Sequence, residues 1–172
     1  MARSGGARAV FWWALGGAAL LWLWSRTEQG AGVIARTFDR TLPRGIRNNN
    51  PGNIERTGTR WRGMAAEQSD PRFVVFEAPE WGLRAMARIL KNDILAGRNT
   101  VRALIYEWAP PTENVTDAYV VAVARALGVG PDEPIGLDRL PALMRAITRH
   151  ENGVDPYPPE LYARAIQLEQ TA

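Results

Sequence analysis

Hydrophobic and polar positions change rhythm three times along the chain. Ala9 to Trp24 (AVFWWALGGAALLWLW) is an unbroken apolar run, preceded by Arg3 and Arg8 and closed by Arg26. As a helix its 16 residues span about 24 Å, somewhat less than the ~30 Å hydrocarbon core of a bilayer. Arginines at both ends can snorkel to cover the difference, and Trp12, Trp13, Trp22 and Trp24 stand near the two ends as interfacial aromatics do. The pattern predicts a membrane anchor in residues 1–26, with residues 9–25 in the membrane. A cleaved signal peptide and a buried core helix are the competing readings. The small-x-small cleavage site that a signal peptide needs does not directly follow.

Residues 27–43 lack sustained periodicity and read as a linker. Arg44 to Gly63 is rich in Asn, Gly and Pro, the composition of consecutive turns. Arg72 to Phe76 (RFVVF), after Asp70-Pro71, is a strand candidate. From Pro79 the period becomes helical. Trp81, Ala85, Ile89 and Leu90 share one face and Gly97 stops the first helix. Thr100 caps a second that ends at Trp108 before Pro110-Pro111. Asn114 caps a third, with Asp117 as box partner and Gly128 as its end. Asp138 caps a fourth, with Pro141 in its first turn and Gly153 as its end. A last helix runs from about Pro159 to Leu168. Residues 44–172 should therefore form one mainly α domain with a minor β element.

Composition narrows the chemistry. There is no cysteine, and His150 is the only histidine. A thiol nucleophile is excluded, as is a zinc site built from two or more His or Cys ligands. No G-x-S-x-G elbow accompanies His150. Hydrolytic chemistry would have to rest on carboxylates, with neither metal nor cofactor. The formal net charge is +3, and nearly all the cations are Arg, Lys91 being the single lysine. Such a domain is drawn to anionic surfaces such as lipid headgroups or cell wall. The arginines are scattered and not interleaved with aromatics, so nucleic acid is not an expected partner.

Several segments, taken in order, resemble a known group. RGIRNNNPGNI (44–54), RW.G (60–63), RFVVF (72–76), GLRAMARIL (82–90), WAPPTENVTDAY (108–119) and AITRHENGVDPY (146–157) are similar to a phage family of small virion-associated or prophage-encoded structural and lysozyme-like proteins. The resemblance covers about 115 residues, from Arg44 to Tyr157. It implies a lysozyme-like helical domain over residues 44–172 and peptidoglycan glycan strands as a partner, with other virion proteins beside them. Leu143 to Pro156, an apolar helix ending in Glu-polar-Gly and then Asp-Pro, is also similar to the catalytic-Glu segment of soluble lytic transglycosylases. Those enzymes carry that segment early and follow it with Gly-Leu-Met-Gln; here it comes late, and Gly82-Leu83-Arg84-Ala85 precedes it. The Glu, Asp and Thr spacing of phage lysozymes is absent.

Cleaving a glycosidic bond needs a carboxylic acid beside the leaving oxygen, usually with a second carboxylate or a substrate group to stabilise the oxocarbenium ion. Glu151 falls at the C-terminal end of the fourth helix, where the helix dipole favours the protonated form. Glu113 falls just before a helix N-terminus, where the ionised form is favoured. The pair suits an acid and its assistant, but each also suits a plain helix end. Asn53, Trp108, Asn114, Tyr119 and Tyr157 are the candidate substrate contacts. Their alternatives are turn bonding for Asn53, a helix cap for Asn114, and core packing for the three aromatics. The expected function is a membrane-anchored, phage-derived muramidase or lytic transglycosylase, its domain extracytoplasmic or virion-associated. The alternative is a non-catalytic phage structural protein on a lysozyme-like scaffold.

Overall fold

Pro79 occupies the first turn of the longest helix, where its missing N–H costs nothing, and the chain before it is extended at Ala78. That helix organises the domain in a computed structural model that describes residues 41–110 and 115–171. The chain divides into two compact units, Met1–Leu42 and Pro43–Ala172. The expected anchor at residues 9–25 lies outside the described residues, and among those no helix is long and apolar enough to cross a membrane.

In chain order the helices are α1 (Arg44–Arg47), α2 (Pro79–Leu95), α3 (Val101–Trp108), α4 (Val115–Leu127), α5 (Leu140–Asn152) and α6 (Pro159–Gln170). A 3₁₀ turn, Leu137–Arg139, leads into α5. Local signals end and start them as expected in most cases. The Thr100 hydroxyl accepts from the amide of Ala103 at 3.2 Å, and Gly153 caps α5 in the left-handed conformation at φ 71°. Asp138 behaves differently from its expected role. It sits inside the 3₁₀ turn, and α5 begins after Arg139 with no side-chain cap.

The core-facing side of α2 is Leu83, Met86, Ala87 and Leu90, all at most 1% exposed, with Ile94 at its end. The expected face containing Trp81 and Ile89 is rotated from this: both are only half-buried at its margin. Around α2 stand Val101, Leu104 and Ile105 of α3, Leu143, Met144 and Ile147 of α5, and Tyr162 and Ala165 of α6. Tyr119, Val120 and Val123 of α4 complete the core against α3 and α5. Each fully buried Leu, Ile or Met contributes about 1.5–3 kcal/mol over its exposed state. The helices are therefore held by their shared interior.

No strand forms among the described residues. The expected β element reduces to isolated bridges, Glu55 with Phe73 and Met64 with Phe76, plus one between Thr100 and Pro134. RFVVF is flanked by possible partners, since the amide of Val74 reaches the carbonyl of Ile54 and that of Phe76 reaches Asn48. The ladder fails because side chains take the amides between them. Asp70 Oδ1 accepts from the amides of Arg72 and Phe73, and Gln68 Oε1 accepts from that of Val75.

Candidate functional site

The Asn-rich loop after α1 is built by its own amides. Asn50 is fully buried, donates to the carbonyls of Ile54 and Val74, and accepts from the amide of Ile54. Asn48 donates to Asp70 at 2.7 Å, and Asn49 donates to the carbonyl of Phe76 at 2.9 Å. Asn49 and Asn53 adopt left-handed backbone conformations, φ 52° and 50°, which asparagine tolerates better than other side chains. Asp70 anchors the loop. It accepts from Arg44 Nε and Nη2, from Asn48 and from two backbone amides. The Arg44 guanidinium, aided by those other donors, holds the Asp70 carboxyl far below the usual carboxylate range against the opposing effect of burial.

This loop carries Asn53 to Glu151, 98 positions away in sequence. Asn53 Nδ2 donates to Glu151 Oε2 at 2.9 Å, and the Tyr119 hydroxyl donates to Oε1 at 3.0 Å. Three elements thus converge on one carboxylate: the loop, α4 and the last turn of α5. The neighbouring Asn152 fastens loop to helix again, donating to the carbonyls of Pro51 and Thr148. The approach requires a glycine at position 45. A Cβ there would meet Asn152 Oδ1 at 2.5 Å and Asn53 Oδ1 at 2.8 Å.

Tyr119 is 4% exposed and stacks on the His150 ring at 3.5 Å between centroids. Burial, then the charge of Glu151 and its hydrogen bond, raises the phenol's pKa well above its ordinary value. Tyr119 therefore keeps its proton at any physiological pH. Burial lowers the pKa of His150, and the charge of Glu151 partly opposes that.

Glu151 lies on the wall of a cleft of about 670 Å³. The same cleft is lined by Gly52 to Glu55, Arg72, Phe73, Ile89, Asp93 and the end of α3 from Glu107 to Pro110. Trp108, half-buried, supplies an aromatic wall, and its ring lies where a Cβ on Gly52 would stand, 2.6 Å away. Of the further carboxylates, Asp93 is paired with Arg98, and Glu55 with Arg72 at 2.6 Å. Glu107 is exposed and has no hydrogen-bond or ion-pair partner among the described residues. Among those residues no group of three or more His, Asp or Glu converges as metal ligands would.

The expected site residues thus divide. Glu151, Asn53 and Tyr119 are joined by hydrogen bonds, and Trp108 lines the same cleft as Glu151 and Asn53. Tyr157 is not part of that lining; it packs edge-on against Tyr162 at 6.4 Å, with its hydroxyl buried and unpartnered. Glu113 and Asn114 lie outside the described residues. Glu107, which also lines the cleft, is not among the residues expected from the sequence. The signal available was its place beside Trp108 at a helix end, where a side chain can face a cleft.

No family profile matches the chain. Protein P5 of Pseudoalteromonas phage PM2 is 37% identical to it over 118 residues, covering 66% of this chain and 74% of that protein. The phage affiliation expected from the loop and helix motifs is thereby established at the level of sequence. With similarity over most of the phage protein's length, the chain belongs to the family of phage PM2 Protein P5.

Proposed function

We propose that the domain over residues 44–172 cuts glycan strands of peptidoglycan for a phage, with Glu151 as the acid that protonates the leaving oxygen. The observation that carries this reading is the position of Glu151, on the wall of a cleft of about 670 Å³ with Trp108 beside it and both carboxylate oxygens oriented by protein donors. A cleft of that size fits the range of small-ligand sites. The Tyr119 hydroxyl can accept as well as donate, so a protonated Glu151 would keep a partner at Oε1. Trp108 would stack on a sugar ring, and the fixed amide of Asn53 would hold Glu151 at one angle to the scissile bond. Glu107 is the carboxylate in this cleft free to assist, and Glu113, six residues on, is the second candidate. A lytic transglycosylase would need neither, since the sugar's own hydroxyl closes the anhydro product. In this reading residues 9–25 tether the domain to a membrane through the 27–43 linker, on its extracytoplasmic side or within a virion.

A non-catalytic structural role in the virion is the second reading. It is favoured by the same two hydrogen bonds, because a carboxylate tied on both oxygens also serves as a strut between loop and helix. Purified full-length chain in detergent, incubated with peptidoglycan and followed by mass spectrometry of the soluble products, separates the two. Anhydro-muropeptides from the native chain and none from Glu151→Gln support a transglycosylase. Reducing-end products lost in the same variant support a hydrolase, and a further loss in Glu107→Gln or Glu113→Gln identifies the assistant. No products from either chain, both folded, would leave the structural reading.

A further inference from the structure

Where α2 meets the C-terminal end of α6, arginines gather with no carboxylate within ion-pair distance among the described residues. Trp81, Arg84 and Arg88 follow one another at helical spacings of three and four residues, so they form a stripe along α2. Arg62 extends that stripe, its guanidinium lying 5.2 Å from the centre of the Trp81 ring. Arg84 is only 3% exposed. Its Nε donates to the carbonyl of Leu168 at 3.1 Å, in the last turn of α6. The nearby carboxylate, Glu169, is engaged by Lys91 at 2.5 Å. Among the described residues, none of Arg62, Arg84 and Arg88 has a carboxylate within ion-pair distance.

A guanidinium is rarely buried without an anion, because desolvation of the charge must be offset. The C-terminal end of α6 supplies about half an elementary negative charge. Arg84 is bonded to that end, with Arg88 one helical turn farther along α2 and Arg62 over the Trp81 ring. Burial, followed by the charges of Arg62 and Arg88, pulls the Arg84 pKa below that of a free arginine, and the charge of Glu169 opposes this. The remaining N–H groups of Arg84 are directed donors held in a fixed plane. Arg62 and Arg88, both exposed, can swing toward the same point. Planar guanidinium forks match the oxygens of a phosphate group better than a point charge does.

The geometry points to a phosphate-binding site formed by Arg62, Arg84 and Arg88 where α2 meets the C-terminal end of α6. It is built from residues outside the Glu151 cleft and does not depend on any activity there. The phosphate could be a free monoester or the diester of a lipid headgroup, which present the same oxygens.

The test is titration calorimetry of the full-length chain with inorganic phosphate, at ionic strength held constant with chloride. The native chain should give saturable binding. The double variant Arg62→Gln/Arg88→Gln alters only exposed side chains and should bind at least ten-fold more weakly. Arg84→Lys should weaken binding too, but Arg125→Gln, on the exposed side of α4, should leave it unchanged. No saturable heat from the native chain, or equal binding by the double variant when circular dichroism shows both folded, would overturn the site. Flotation with vesicles of phosphatidylcholine, with and without phosphatidylglycerol, then gives the source. A preference for phosphatidylglycerol that the double variant loses supports a lipid diester. Phosphate binding with no variant-dependent vesicle preference supports a free phosphate.

Discussion

Asp70→Asn is the substitution whose effect the structure defines best, because it changes one atom in a hub that receives only donors. Asp70 Oδ1 accepts from Arg44 Nη2 at 2.6 Å and from the amides of Arg72 and Phe73, both at 2.9 Å; Oδ2 accepts from Arg44 Nε and from Asn48 Nδ2, both at 2.7 Å. An asparagine keeping its oxygen on the two backbone amides must turn its NH₂ toward Arg44 Nε and Asn48 Nδ2, which are donors themselves. Two hydrogen bonds are lost. The one from Arg44 is discounted, since that side chain is 40% exposed and water can replace its partner. The one from Asn48 is not, because Asn48 is 7% exposed and its N–H is left unpaired in a site closed to solvent. At about 1–3 kcal/mol for a buried unpaired donor plus a reduced charge-assisted bond, the loss is about 2–4 kcal/mol. Denaturant unfolding of native and variant chains at pH 7 measures it. The pH dependence supplies a second check. The native Asp70 carboxyl titrates far below its ordinary value, chiefly through Arg44. Its stabilisation is therefore present above the unfolded carboxylate pKa of about 3.9 and is lost as pH falls below that value. The gap between native and variant should shrink steadily below about pH 4. A destabilisation under about 1 kcal/mol at pH 7, or a gap constant down to pH 3, would refute the assignment of Asp70 as the anchor of the loop.

Three further outcomes are expected. Gly45→Ala drives a methyl against Asn152 Oδ1 and, at 2.8 Å, the backbone oxygen of Asn50, so it should destabilise by about 1–3 kcal/mol; an unchanged thermal midpoint would exclude the close approach of α1 to α5. Tyr119→Phe removes the donor to Glu151 Oε1 and keeps the ring on His150, so unfolding should become easier by about 0.5–1.5 kcal/mol, and a more stable variant would contradict the bond. His150 should titrate below 6.5 by proton NMR because burial disfavours its charged form. A depressed folded-state pKa means that stability is lost as pH falls through 6.5, and His150→Gln should remove that slope; a midpoint above 6.5 would reverse the sign and the inference.

Much of the helical framework was legible in the chain, because helix starts and stops depend on interactions reaching only three or four residues. Thr100, Gly97, Gly128 and Gly153 each act on the turn beside them, and their effect survives whatever packs around it. The family motifs were legible for a related reason, since they are contiguous runs. The tertiary structure decided what depends on distant partners. RFVVF has strand composition, yet Gln68 and Asp70 take the amides a partner strand would need, and only the folded loop brings them there. The inward face of α2 is set by where α5 and α6 lie against it, which moved Trp81 to the margin and placed Arg84 under the end of α6. Glu151 stood out by its helix end and by the similarity of its segment to a catalytic-Glu segment. Its contacts with Asn53 and Tyr119 could not be read in advance, because they join residues 98 and 32 positions apart. Periodicity and capping are properties of the local chain. A shared carboxylate belongs to the packing of a loop and two helices, and exists only once their common core has closed.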